Sequence, residues 1–185
     1  MTKFHAFRPP TITILDYLER ICKYACCSPE CYVLSLIYID RLIQRSSFVL
    51  NSHNVHRVII TSITLAAKFF DDQFFDNAYY ARVGGISKGE MNAMELDFLF
   101  LINFSLFVSP SVYNKYFTEL SNHATMRSMF CENCSDGLHH TEVVTLRGSE
   151  DASATMVVRR CEDQCLAGLF SYAYLSFSFL SVVCL

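Results

Sequence analysis

Apolar residues recur at helical spacing through the first two thirds of the chain, and capping residues mark where each helix begins. After Pro10-Thr11, the stripe Ile14, Leu15, Leu18, Ile21 and Ala25 predicts a helix over 12–27. Ser28-Pro29 pairs a capping residue with proline at the first helical position and opens a second helix, 29–45. Within it Val33, Leu34, Leu36, Ile37, Tyr38 and Ile39 leave almost no polar face, which predicts packing on several sides. Asn51-Ser52 can cap a third helix, 53–70, striped by Val55, Val58, Ile59, Ile63, Ala66 and Ala67. Ser87-Lys88-Gly89-Glu90 is a capping box, in which serine and glutamate satisfy each other's free amides. It starts a fourth helix, 88–103, carrying Met91, Met94, Phe98, Leu99 and Ile102. Ser109-Pro110 repeats the cap-then-proline device before a fifth, 110–121, with Val112, Tyr113, Tyr116, Phe117 and Leu120. No strand-period segment competes before residue 120. Five helices with short or moderate loops make an all-α bundle over 1–121, and the stretch before Ser87 reads as a connecting loop.

Two charges interrupt these apolar faces. Lys68 closes the third helix and Glu95 sits about two turns into the fourth. An unpaired charge on a buried face costs free energy and needs a reason. Both are expected to be polar anchors in an apolar surface that docks a partner protein.

Composition narrows the class. At 185 residues the chain suits one well-buried domain, and with 52% apolar and 18% charged residues it is greasy for its size. Residues 1–120 hold eleven basic and eleven acidic side chains, so the net charge of −3 arises after residue 120. Neither part has the basic excess that phosphate-backbone binding needs, and nucleic acid is not an expected partner. Residues 1–10 lack the apolar core of a signal peptide. Nine cysteines, an odd number, fit free thiols in a reducing compartment. An intracellular protein of the nucleus and/or cytoplasm is expected.

Five ordered motifs carry a resemblance. They are Ser28-Pro29-Glu30-Cys31, Tyr38-Ile39-Asp40-Arg41-Leu42, Asn54-Val55-His56-Arg57, Ala66-Ala67-Lys68-Phe69-Phe70-Asp71-Asp72, and Asn77-Ala78-Tyr79-Tyr80-Ala81-Arg82-Val83-Gly84-Gly85-Ile86-Ser87. Over about residues 4–120 the chain resembles a cyclin box, specifically that of the plant P-type (U-type) cyclins, relatives of the yeast phosphate-signalling cyclin. The resemblance implies a regulatory subunit, not an enzyme, that binds and activates a cyclin-dependent serine/threonine kinase in cell-cycle or phosphate/nutrient signalling. It also implies that Lys68 and Glu95 contact the kinase, and that Phe69, Leu99, Phe104 and Leu106 form the apolar pocket for its helix. Residues 11–17 depart from classical cell-cycle cyclins. The arginine of their substrate-docking patch is absent and Tyr17 stands near its tryptophan, so docking by that patch is not expected. No Arg-x-x-Leu destruction motif occurs.

Other features have plainer readings. Asp71 and Asp72 fit capping or loop solubility better than metal binding, and Asp40-Arg41 reads as an internal ion pair. Cys22, Cys26, Cys27 and Cys31 read as small buried thiols. Cys131, Cys134, Cys161 and Cys165, with His139-His140 between them, offer a zinc-ligand set, but the second spacing is loose and no cofactor is expected. Residues 122–185 read as a divergent, poorly ordered tail. Its last stretch, 166–185, carries no charge and has the length of a membrane span, though serines and Gly168 dilute it. The favoured reading of the tail is an extension unrelated to the family, as from an unspliced intron or a shifted frame. Two rival functions follow: a cyclin-fold adaptor for transcription machinery, and a membrane-tethered or zinc-binding protein dominated by the tail.

Overall fold

The computed structural model describes the backbone of residues 2–128 and of two short segments, 143–145 and 155–157, and the side chains of residues 2–122. Six helices follow one another: α1 Ile14–Tyr24, α2 Glu30–Ser46, α3 Val55–Phe70, α4 Asn77–Gly84, α5 Lys88–Leu101 and α6 Pro110–Ser128. Two short strands, β1 Val143–Thr145 and β2 Thr155–Val157, pair antiparallel with Val144 opposite Met156. The bundle is all-α, as expected, but it holds a sixth helix, α4, where a connecting loop is predicted. The Asp76 carboxylate caps α4 by accepting the Tyr79 amide at 2.9 Å, and Gly85 closes it in the left-handed conformation at φ +70°.

Helix boundaries follow local chemistry. The Thr13 hydroxyl caps α1 by accepting the Asp16 amide at 3.1 Å, which starts the helix later than expected. The capping box at Ser87 is formed: its hydroxyl accepts the Glu90 amide at 3.2 Å and its own amide donates to Glu90 at 3.0 Å. At the start of α2, Ser28 turns away from a capping role. Its hydroxyl and its amide both donate to Asp71, so the Asp71 carboxylate lies at the positive end of α2. Asp71 thus fastens the segment before α2 to the end of α3, without capping an amide of α2.

α2 and α3 share the most extensive packing, with α5 against both, α4 on α1, α3 and α5, and α6 on α2. This explains the apolar girth of α2. Residues 31–39 are all buried, and Val33, Leu36 and Ile37 meet Leu120 of α6 on the side away from the main core. Three buried hydroxyls in α3, on Thr61, Ser62 and Thr64, donate to carbonyls one turn back, so burying them leaves no orphan. The N-terminal segment completes the core. Phe4 is fully buried edge-on to Phe48 and Phe98, Lys3 pairs with Asp97 at 3.0 Å, and the Ala6 amide donates to the His53 carbonyl at 2.8 Å.

Two sequence readings need correction. Asp40 and Arg41 form no ion pair, because neighbours on a helix point about 100° apart. Asp40 accepts the Tyr116 hydroxyl at 2.7 Å, tying α6 to α2, and burial pushes its carboxyl above the usual range. Of the four clustered cysteines, Cys27 and Cys31 are buried and Cys22 half-buried, but Cys26 is exposed, with φ +49°. The set Cys131, Cys134, Cys161 and Cys165, the apolar run 166–185 and most of the tail predicted to be poorly ordered lie outside the described residues, while α6 continues to Ser128, past its expected end at 121. Among the described residues, no helix is long and apolar enough to cross a membrane, and no group of three His, Cys, Asp or Glu side chains is placed to hold a metal ion.

Candidate docking site

Lys68 ends α3 and Glu95 lies midway along α5, and the packing of these helices brings their side chains together. Lys68 Nζ donates to Glu95 Oε1 at 2.5 Å. The same ammonium donates to Asn77 Oδ1 at 3.0 Å, and Asn77 Nδ2 donates to Glu95 Oε2 at 2.6 Å and to Asn92 Oδ1 at 2.8 Å. Three helices therefore contribute to one polar cluster. It is neither sealed nor fully wet: the two charged side chains keep 30% and 17% of their surface exposed. Neither charge lacks a partner in the free protein, which removes the penalty the sequence raised. Each retains hydrogen-bonding capacity, since an ammonium has three donors and a carboxylate about four acceptor sites.

The chain also leaves large apolar side chains uncovered. Phe69, directly after Lys68, is 52% exposed, and Phe104, beyond the end of α5, is 53% exposed. Leu99 and Leu106 are half-buried and pack against the core. The expected residues thus divide: Lys68 and Glu95 meet, Phe69 and Phe104 face solvent, and Leu99 and Leu106 are shared with the interior. Sequence reasoning missed Phe70, Phe74, Leu96, Phe100 and Phe107, all at least half exposed. Helical spacing marks such residues as apolar without saying which of them lack cover.

How Phe104 is held outward is specific. Asn103 and Phe104 both take left-handed backbone, at φ +53° and +52°. That conformation costs a non-glycine residue roughly 1–2 kcal/mol. The turn is closed by the Phe104 amide donating to the Leu99 carbonyl at 2.8 Å. It is clamped from α2 by three side chains on one face. Tyr38 donates to the Leu106 carbonyl at 2.9 Å, Arg41 to the Ser105 and Phe107 carbonyls at 2.6 and 3.0 Å, and Arg45 to the Ile102 carbonyl at 2.6 Å. Charge-assisted bonds of this kind offset the backbone strain and fix the direction of Phe104. The available signal was the Arg41 and Arg45 pair, one turn apart near the end of α2.

A family model described as Cyclin matches residues 1–106. The chain belongs to the cyclin family. This cyclin is 55% identical over 124 residues to Cyclin-U4-1 of Arabidopsis thaliana, covering 66% of this chain and 61% of that one. It is 43% identical over 169 residues to Cyclin-P3-1 of Oryza sativa subsp. japonica, covering 90% and 71%. With Cyclin-P4-1 of the same rice it shares 48% over 126 residues, 68% of this chain and 59% of the relative. Its similarity is thus to the plant U-type and P-type cyclins, and the matched region spans about three fifths of the length of Cyclin-U4-1. The family match ends at Leu106, so the Lys68–Glu95 cluster and the turn that presents Phe104 both lie inside it.

Proposed function

We propose that this cyclin binds a cyclin-dependent serine/threonine kinase and holds it in its active arrangement, within cell-cycle or phosphate/nutrient signalling in the nucleus and/or cytoplasm. The observation that carries the reading is the Lys68–Asn77–Glu95 cluster together with uncovered phenylalanines on a rigid bundle. Such a kinase is active when its αC helix moves inward and completes a lysine–glutamate ion pair in the kinase site. A cyclin surface that binds the inward state better than the outward one shifts the kinase toward activity by the difference in affinity. Exposed aromatic side chains supply the apolar area and the charged cluster supplies register, the division expected of anchor residues and polar contacts at an interface. In this reading the cyclin contributes binding energy, and the chemistry belongs to the kinase.

The test is co-purification of a cyclin-dependent kinase with the wild-type chain and with the double variant K68A/E95A. The double variant is expected to lose the kinase while keeping the wild-type far-UV circular dichroism spectrum. Loss of helical signal instead would assign Lys68 and Glu95 a structural role. Capture of transcription components without a kinase would favour the adaptor reading.

A further inference from the structure

We infer that Asn77 is a positioning residue for kinase docking, its side-chain amide setting the geometry in which Lys68 and Glu95 meet a partner. The inference rests on the docking reading above. Asn77 is the first residue of α4, but it does not cap that helix, because Asp76 already accepts the Tyr79 amide. Its head group is committed elsewhere: Oδ1 to the Lys68 ammonium at 3.0 Å, Nδ2 to Glu95 Oε2 at 2.6 Å and to Asn92 Oδ1 at 2.8 Å. These partners settle which way the amide faces, since an ammonium only donates and a carboxylate only accepts. A primary amide sets an acceptor and a donor side by side, so one residue addresses a cation and an anion together.

Lys68 and Glu95 sit on long, rotatable stems, and a single ion pair between partly exposed groups holds such stems weakly. Asn77 adds a bond to each and ties both to the start of α4. With that brace the two charges meet a docking helix already ordered; without it, binding must order them, and affinity falls by the cost of that ordering. No other described side chain bonds to both members of the pair.

The experiment measures affinity of the full chain for a purified plant cyclin-dependent kinase by calorimetry, comparing wild type with N77A and N77D. N77A removes all three side-chain bonds and places a better helix former in α4. It is expected to weaken binding roughly tenfold through lost preorganisation. N77D is nearly isosteric and suits a helix N-terminus, yet sets a second carboxylate against Glu95. It is expected to weaken binding at least as much as N77A. Both variants should keep the wild-type helical signal and, at saturating cyclin, the wild-type kcat of the assembled kinase. Wild-type affinity in N77A, or wild-type affinity in N77D beside a loss in N77A, would overturn the inference, the second outcome assigning Asn77 a packing role. Failure of the wild-type chain itself to bind would overturn the docking reading and the inference with it.

Discussion

One helix shows two fates. From Val58 to Ala67 every residue of α3 is buried, hydroxyls included, whereas Lys68, Phe69 and Phe70 emerge at its end. The two parts are about equally apolar, so composition does not separate them. Neighbours do: α1, α2, α4 and α5 pack on α3, while at its end the rings of Phe69 and Phe70 stay half exposed. The body stabilises the fold. The end, with the clamped turn around Phe104, leaves apolar area uncovered. Burial and exposure here fall on the same kind of side chain, and position decides which one it meets.

The sharpest break in this comparison comes from truncating one member of each class. Ile63, 1% exposed in the body of α3, should lose about 2–5 kcal/mol of stability as I63A, read as a shift in urea midpoint at constant slope. Phe104→Ala should reverse the pattern. Its midpoint should scarcely move, because half the ring already faces water, while kinase affinity falls about tenfold, near 1.4 kcal/mol. A large stability loss in F104A would mean that the rim is core after all.

The smallest expected effect concerns acid. The Glu90 carboxyl is held down to about 2 by the Ser87 amide and hydroxyl and by Arg57, whose guanidinium lies 2.8 Å away. Its folded value lies below the ordinary 4.5, so its contribution to stability is complete above that pH and fades as pH falls toward 2. Because the carboxylate is largely exposed and screened, the contribution is about 1 kcal/mol or less. Chemical denaturation at a series of pH values should show E90Q with a shallower acid slope than wild type. An unchanged slope would remove Glu90 from the account.

Much of this was legible beforehand. Periodicity and caps located five helices, and the capping box at Ser87 formed with the residues expected of it, because those devices act within a turn or two. Lys68 and Glu95 stand out in sequence as charges on apolar faces, but their bond to each other is not legible there, because it needs α3 and α5 packed together. Helix α4 escaped notice because its eight residues are too short to show a stripe, and its paired tyrosines read equally as loop. Arg41 and Asp40 were misjudged because their partners lie 64 and 76 positions away, and local sequence says nothing about which segments the fold brings back. Asn77 escaped for the same reason: its role needs α3 and α5 already in place.

Phe4 carries a further consequence. Its ring is seated on Phe98, far along the sequence, so that corner of the core closes only once α5 has joined the fold. Until then a bulky aromatic ring stays unhoused, and a contact between such distant segments is among the slower ones to form.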